Sequence, residues 1–151
     1  MRKFGLVILA IFVSCAAQVQ AQSTSISEAD KTAITQTALD YIEGWYAGDA
    51  ERMERALHPE LAKRIMRTSA QGPGRLDQMS AMSLVQGTRR GGGKQTPKEK
   101  QQKDVTILDV FENAASAKIV ASDWIDYLHL ARWNGRWVIV NVLWELKPTP
   151  K

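Results

Sequence analysis

The stretch WIDYLHLARWNGRWVIVNVLW, residues 124–144, decides the fold. Asn134-Gly135 at its centre marks a two-residue turn between antiparallel strands, because both turn positions need the positive φ that Asn and Gly tolerate. The flanks alternate, predicting strands over Trp124–Trp133 and Arg136–Glu145. Residues an even number apart share a face of a strand. Continuous pairing outward from the turn sets Ile125, Tyr127, His129 and Ala131 with Val138, Val140, Val142 and Trp144 on one face. The other face takes Trp124, Asp126, Leu128 and Leu130 with Ile139, Asn141 and Leu143. Asp126 and His129 are three apart and point to opposite sides, which removes them as an acid–base dyad.

Working toward the N-terminus, a second hairpin is expected from Val105–Glu112 paired with Ala115–Ser122 across Asn113-Ala114, setting Asp109 opposite Lys118, Ile107 opposite Val120 and Leu108 opposite Ile119. Before it, the period changes to that of a helix. Ile34, Ala38, Tyr41, Ile42 and Trp45 recur at three and four residues, one apolar stripe on a helix that starts at the Ser25/Glu28 capping box and ends at Gly48. Asp49 caps a short helix through Leu57 with Met53, Ala56 and Leu57 inward, and His58-Pro59 interrupts it. His58, at that helix end, is expected to serve a local capping role. Residues 60–67 fit either a helical turn or a short strand, 71–74 read as a loop, and Leu76 to Val85 as a third helix. Residues 87–104 hold no large apolar side chain, three consecutive glycines and six basic residues against Glu99 and Asp104, and are expected to be a flexible basic loop. Helices first and long antiparallel strands last make an α+β fold with helices packed on one face of the sheet.

With 44% hydrophobic and 24% charged residues, the chain of 151 residues is composed like one globular domain rather than a disordered or multi-span protein. Residues 1–21 read as a signal peptide: Arg2 and Lys3, an apolar run from Phe4 to Val13, and a small-residue site ending at Ala21. Its removal takes away two basic and no acidic groups, lowering the net charge from +4 to +2, and leaves 22–151 as one domain in the periplasm or secreted. Phe12-Val13-Ser14-Cys15 resembles a lipoprotein box with an atypical first residue, so the alternative is a lipid anchor at Cys15. The charge gives no argument for nucleic acid, and the basic loop lacks aromatic residues that could stack on bases. The apolar run is too short to span a bilayer, so no transmembrane span is expected in the mature protein.

Two blocks, ALDYIEGWYAGDAERMERALHP at 38–59 and residues 124–144, resemble the nuclear transport factor 2-like superfamily, and within it the group labelled "putative lumazine-binding". The resemblance covers most of residues 26–147. It implies a strongly curved antiparallel sheet with about three N-terminal helices on its concave face, a cone with a pocket between the first helix and the sheet, often in a homodimer. It implies no single activity, since members include isomerases, dehydratases, cyclases and non-catalytic binding modules.

Within that picture Asp126 sits among Trp124, Leu128, Leu130 and Leu143, with Asn141 diagonally across. A carboxylate in apolar surroundings gains proton affinity, which suits a general acid or base; the structural alternative is a carboxylate bonded to Asn141, an arginine or backbone amides. Tyr41 and Trp45, on the helix stripe facing the sheet, join Trp124, Leu128 and Asn141 as expected ligand contacts. His129 is expected on the opposite face with Tyr127 and Trp144, a face that could serve dimerisation. Two histidines outside any recognised ligand spacing predict no metal, and no glycine-rich phosphate loop or serine elbow is present, so no cofactor is expected. The expected function is an exported small-molecule-binding or accessory protein; the alternative is a cofactor-independent isomerase, dehydratase or cyclase using Asp126.

Overall fold

The computed structural model describes residues 26–69 and 72–148. The expected leader, Cys15 and Ser25 lie outside the described residues. The elements in order are α1 (Glu28–Ala47), α2 (Ala50–Ala56), β1 (Leu57–Ser69), β2 (Gly72–Ser80), α3 (Ala81–Arg89), a 3-10 turn at Lys98–Lys100, β3 (Lys103–Phe111), β4 (Ala114–Ala121), β5 (Trp124–Trp133) and β6 (Arg136–Leu146). The six strands form one sheet in the order β2-β1-β6-β5-β4-β3, curled strongly but not closed. Every pairing is antiparallel except β1 with β6, so the expected antiparallel sheet is in fact mixed.

α1 packs across β3, β4 and β6, α3 covers β1 and β2, and α2 bridges the two longer helices. The N-cap of α1 is Ser27, whose hydroxyl accepts from the Asp30 amide, so the helix begins two residues later than the Ser25/Glu28 box predicts. Gly48 closes it at φ 69°, its amide bonded to the Gly44 and Trp45 carbonyls, a left-handed position that suits glycine. Asp49 caps α2 as the sequence indicates, accepting from the Arg52 amide. Ile34, Ala38, Tyr41 and Ile42 are buried against β4, β5 and β6, which contribute Ala117, Ile119, Leu128, Leu130, Ile139 and Val142.

The structure settles one open reading and corrects others, among them the expected loop at 71–74, since β2 begins at Gly72. The ambiguous stretch after His58 is strand β1: Leu61, Lys63 and Ile65 are buried while Met66 is exposed, a period of two. His58 therefore caps no helix; it lies in β1, its Nδ1 accepting from the Glu60 amide at 3.2 Å, its ring edge-on to Trp133. The expected third helix is half strand, because β2 runs through Leu76 and Met79 to Ser80 and only Ala81–Arg89 is helical, with Ser80 as cap. The β3–β4 hairpin turns at Glu112-Asn113, with Glu112 at φ 48°, and carries a bulge between Ile107 and Asp109. Ile107 faces Ala117 and Asp109 faces Ser116, so the expected Asp109–Lys118 pair is not formed.

The β5–β6 hairpin turns at Asn134-Gly135 as predicted, both at positive φ. Close to the turn the register is the expected one, Ala131 against Val138 and Leu130 against Ile139. The next pair is His129 with Asn141, leaving Val140 unopposed as a β-bulge. Beyond a one-residue bulge every side chain changes face. Asn141 and Leu143 therefore stand on the outer face with His129 and Tyr127, while Val142 and Trp144 turn inward with Leu128 and Asp126.

The glycine-rich segment after α3 packs against the end of α1. A Cβ on Gly92 would stand 2.5 Å from the Trp45 ring, and one on Gly93 2.4 Å from the Trp45 carbonyl oxygen, so only glycine lets this segment seat Trp45. Further along, the Tyr46 hydroxyl donates to the Gln102 carbonyl at 2.9 Å and the Ser122 hydroxyl to the Lys100 carbonyl at 2.6 Å.

Candidate functional site

Between α1, α3 and the inner face of the curled sheet lies a cavity of about 500 Å³. Its aromatic walls are Tyr41 and Trp45 from α1, Trp124 from β5 and Trp144 from β6. Lys63 and Arg67 reach it from β1, Met79 from β2, and Leu84, Gly87 and Arg90 from α3 and its end. The size suits one small molecule.

Asp126 is fully buried and does not line the cavity. Its carboxylate accepts from Lys63 Nζ at 2.5 Å, Trp124 Nε1 at 2.7 Å and the Tyr41 hydroxyl at 3.2 Å. Lys63 Nζ also donates to the Tyr41 oxygen at 2.6 Å. Two ammonium hydrogens are thus committed, and the third has no acceptor among the described residues. The ammonium lies 4.9 Å from the Trp144 ring centre, 5.3 Å from that of Tyr41 and 5.9 Å from that of Trp124. Such a cage compensates part of the hydration that a buried cation loses. Burial pushes the Lys63 amine down, against the opposing pull of the Asp126 charge and hydrogen bond. Burial together with that same carboxylate drives the Tyr41 phenol well above its ordinary value, so Tyr41 stays a neutral donor.

Tyr41, Trp45 and Trp124 line the cavity where the sequence placed them. Leu128 does not; it is buried beneath, in the core. Asn141 is on the outer face, accepting from Arg64 at 2.8 Å and paired with His129 Nδ1 at 3.3 Å. It does not line this cavity and is not a hydrogen-bond partner of Asp126, and Trp144, assigned to the outer face, takes the inner place. The bulge at Val140 causes both changes. His129 and Tyr127 are exposed on the outer face as expected.

Lys63 was missed altogether. A signal was available, since Leu61, Lys63 and Ile65 alternate and a lysine at an inward position between two buried aliphatics requires a carboxylate partner. Among the described residues no cluster of three or more His, Cys, Asp or Glu side chains could hold a metal ion, and no helix is long and apolar enough to cross a membrane.

Solved structures share this architecture. An NTF2-like protein from Methylobacillus flagellatus KT superposes with a TM-score of 0.63 at 22% identity, covering 82% of this chain and 97% of that one. One from Shewanella baltica OS155 gives 0.59 at 19%, covering 83% and 100%. An NTF2-like protein with a cystatin-like fold from Novosphingobium aromaticivorans gives 0.55 at 12%, covering 78% and 82%. At these identities the likeness establishes the fold alone, described for those structures as NTF2-like or cystatin-like. Comparison with curated proteins finds no match. The family described as "Putative lumazine-binding" matches residues 29–145, and the chain belongs to it.

Proposed function

We propose that this chain is an exported protein that holds one small, partly apolar molecule in the cavity between α1, α3 and the sheet, without turning it over. The observation that carries this reading is the cavity itself: about 500 Å³, walled by Tyr41, Trp45, Trp124 and Trp144, with a caged ammonium at its base. Aromatic faces of this kind suit a planar ring, consistent with the lumazine of the family description. The Lys63 hydrogen that has no acceptor among the described residues offers one donor to a ring carbonyl. Turnover through Asp126 is less well served, because the carboxylate is held by three donors and has no surface in the cavity. Export rests on the leader pattern in residues 1–21.

Native mass spectrometry of the protein purified from the exported fraction, before and after denaturation, tests both parts. The expected result is a mature mass beginning at Gln22 and a small molecule released on unfolding. Quenching of tryptophan fluorescence by added lumazine is the companion titration. A bare polypeptide that also fails to respond to lumazine or to any planar probe overturns the binding role.

A further inference from the structure

The charges around the cavity are distributed unevenly. Three cationic side chains line it, Lys63, Arg67 and Arg90, and no carboxylate does. At the base the Lys63 ammonium is neutralised by Asp126 beneath it. At the rim nothing comparable happens. Arg67 reaches Asp77 only at 3.4 Å, and Asp77 is already held by Arg75 at 2.8 Å, so one carboxylate serves two guanidinium groups. Arg90 is exposed and has no ion pair among the described residues. Arg67 also lies 5.7 Å from the centre of the Trp144 ring, whose other cation contact is Lys63. The cavity therefore runs from a charge-balanced, aromatic base to a rim with an excess of positive charge.

We infer that the ligand is a ring-bearing organic anion, seated with its ring among Trp45, Trp124 and Trp144 and its anionic group at the rim between Arg67 and Arg90. The inference deepens the binding role proposed above and rests on it. The orientation follows from the charges. An anionic group driven to the base would meet the Asp126 carboxylate behind Lys63, whereas at the rim it meets two guanidinium groups able to donate paired hydrogen bonds while it stays partly hydrated. A neutral ring of the same shape would gain the walls but not the rim.

Two dyes matched in their rings test this: 1-anilinonaphthalene-8-sulfonate and N-phenyl-1-naphthylamine, which lacks only the sulfonate. Titrated by fluorescence on the full mature chain, the sulfonate is expected to bind about 3- to 10-fold more tightly, the range two partly exposed charge pairs provide. The preference should shrink as salt shortens the screening length. The double variant Arg67→Gln/Arg90→Gln should remove the preference, weakening the sulfonate about 3- to 10-fold more than the neutral dye. 2-Naphthoate should displace the bound dye where 2-naphthamide does not, extending the preference to carboxylates. Equal binding of both dyes to the unaltered protein, or equal weakening of both by the double variant, overturns anion selectivity while leaving the binding role intact. Failure of both dyes and of lumazine to bind overturns the two together.

Discussion

Breaking the Lys63–Asp126 pair from one side should cost far more than removing it whole. The ammonium and carboxylate are 2.5 Å apart with side chains 6% and 0% exposed. At an effective dielectric of about 20 their attraction is roughly 6 to 7 kcal/mol. Taking two ions out of water costs several kcal/mol each, so the intact pair contributes little net stability. Asp126→Asn strands a buried ammonium, and Lys63→Met strands a buried carboxylate that retains only the Tyr41 and Trp124 donors. Each single variant is expected to lose about 3–5 kcal/mol. The double variant places a neutral amide beside a thioether of similar volume to the lysine stem, with the Tyr41 and Trp124 hydrogen bonds still available to the amide oxygen. It should lose less than either single variant, a coupling of about 3 kcal/mol or more. Equilibrium urea unfolding followed by far-UV circular dichroism measures all four proteins, with a common m-value as the control for compactness. Single losses under about 1 kcal/mol, or additivity within about 0.5 kcal/mol, would refute the reasoning.

The same pair sets a pH signature. Because the folded state holds the Lys63 amine below its ordinary 10.5, the unfolded chain binds the extra proton between the two values, and this group makes stability rise with pH there. Asp126→Asn deletes both influences that raise the amine, so its window should open at lower pH and its stability should climb more steeply in mild alkali. Tyr41 acts in the opposite sense. Its phenol is held well above 10.0, so its contribution is complete below that pH and is lost as pH rises further.

On the acid side, burial would raise Asp40, but hydrogen bonds from Arg55, Arg52 and Gln36 outweigh it and hold the group below 3.8; its stabilisation is present above that value and fades as pH falls, so Asp40→Asn should flatten the acid limb of a Tm-against-pH curve. Gly93→Ala should cost about 1–3 kcal/mol in urea unfolding by driving a methyl group into the Trp45 backbone, whereas Gly72→Ala, with nothing within 4 Å of the added carbon, should be near neutral. Trp144→Leu should weaken binding of 1-anilinonaphthalene-8-sulfonate about tenfold or more, and Asn141→Ala should leave it unchanged; the reverse ranking would place the β6 register without its bulge.

Composition, the helical stripe from Ile34 to Trp45, the Asp49 cap and the Asn134-Gly135 turn were enough to determine an α+β chain whose first helix lies on a terminal hairpin. Those signals are local: a period, a cap or a two-residue turn is carried by neighbours in the chain and survives without knowledge of the rest. The two blocks at 38–59 and 124–144 likewise carried the superfamily, and with it the pocket between helix and sheet.

What only the tertiary structure decided depends on partners far apart in sequence. Whether residues 57–69 form a strand depends on a parallel seat beside β6, which no local pattern specifies. That seat brings Lys63 to Asp126, 63 positions away, and turns an isolated buried acid into an ion pair inside an aromatic cage. The extra residue at Val140 leaves the alternation of the sequence unchanged, yet it exchanges Asn141 for Trp144 at the cavity. Strand parity can be counted from a turn only as far as the first bulge, and nothing in the alternation of the hairpin marks where that bulge falls.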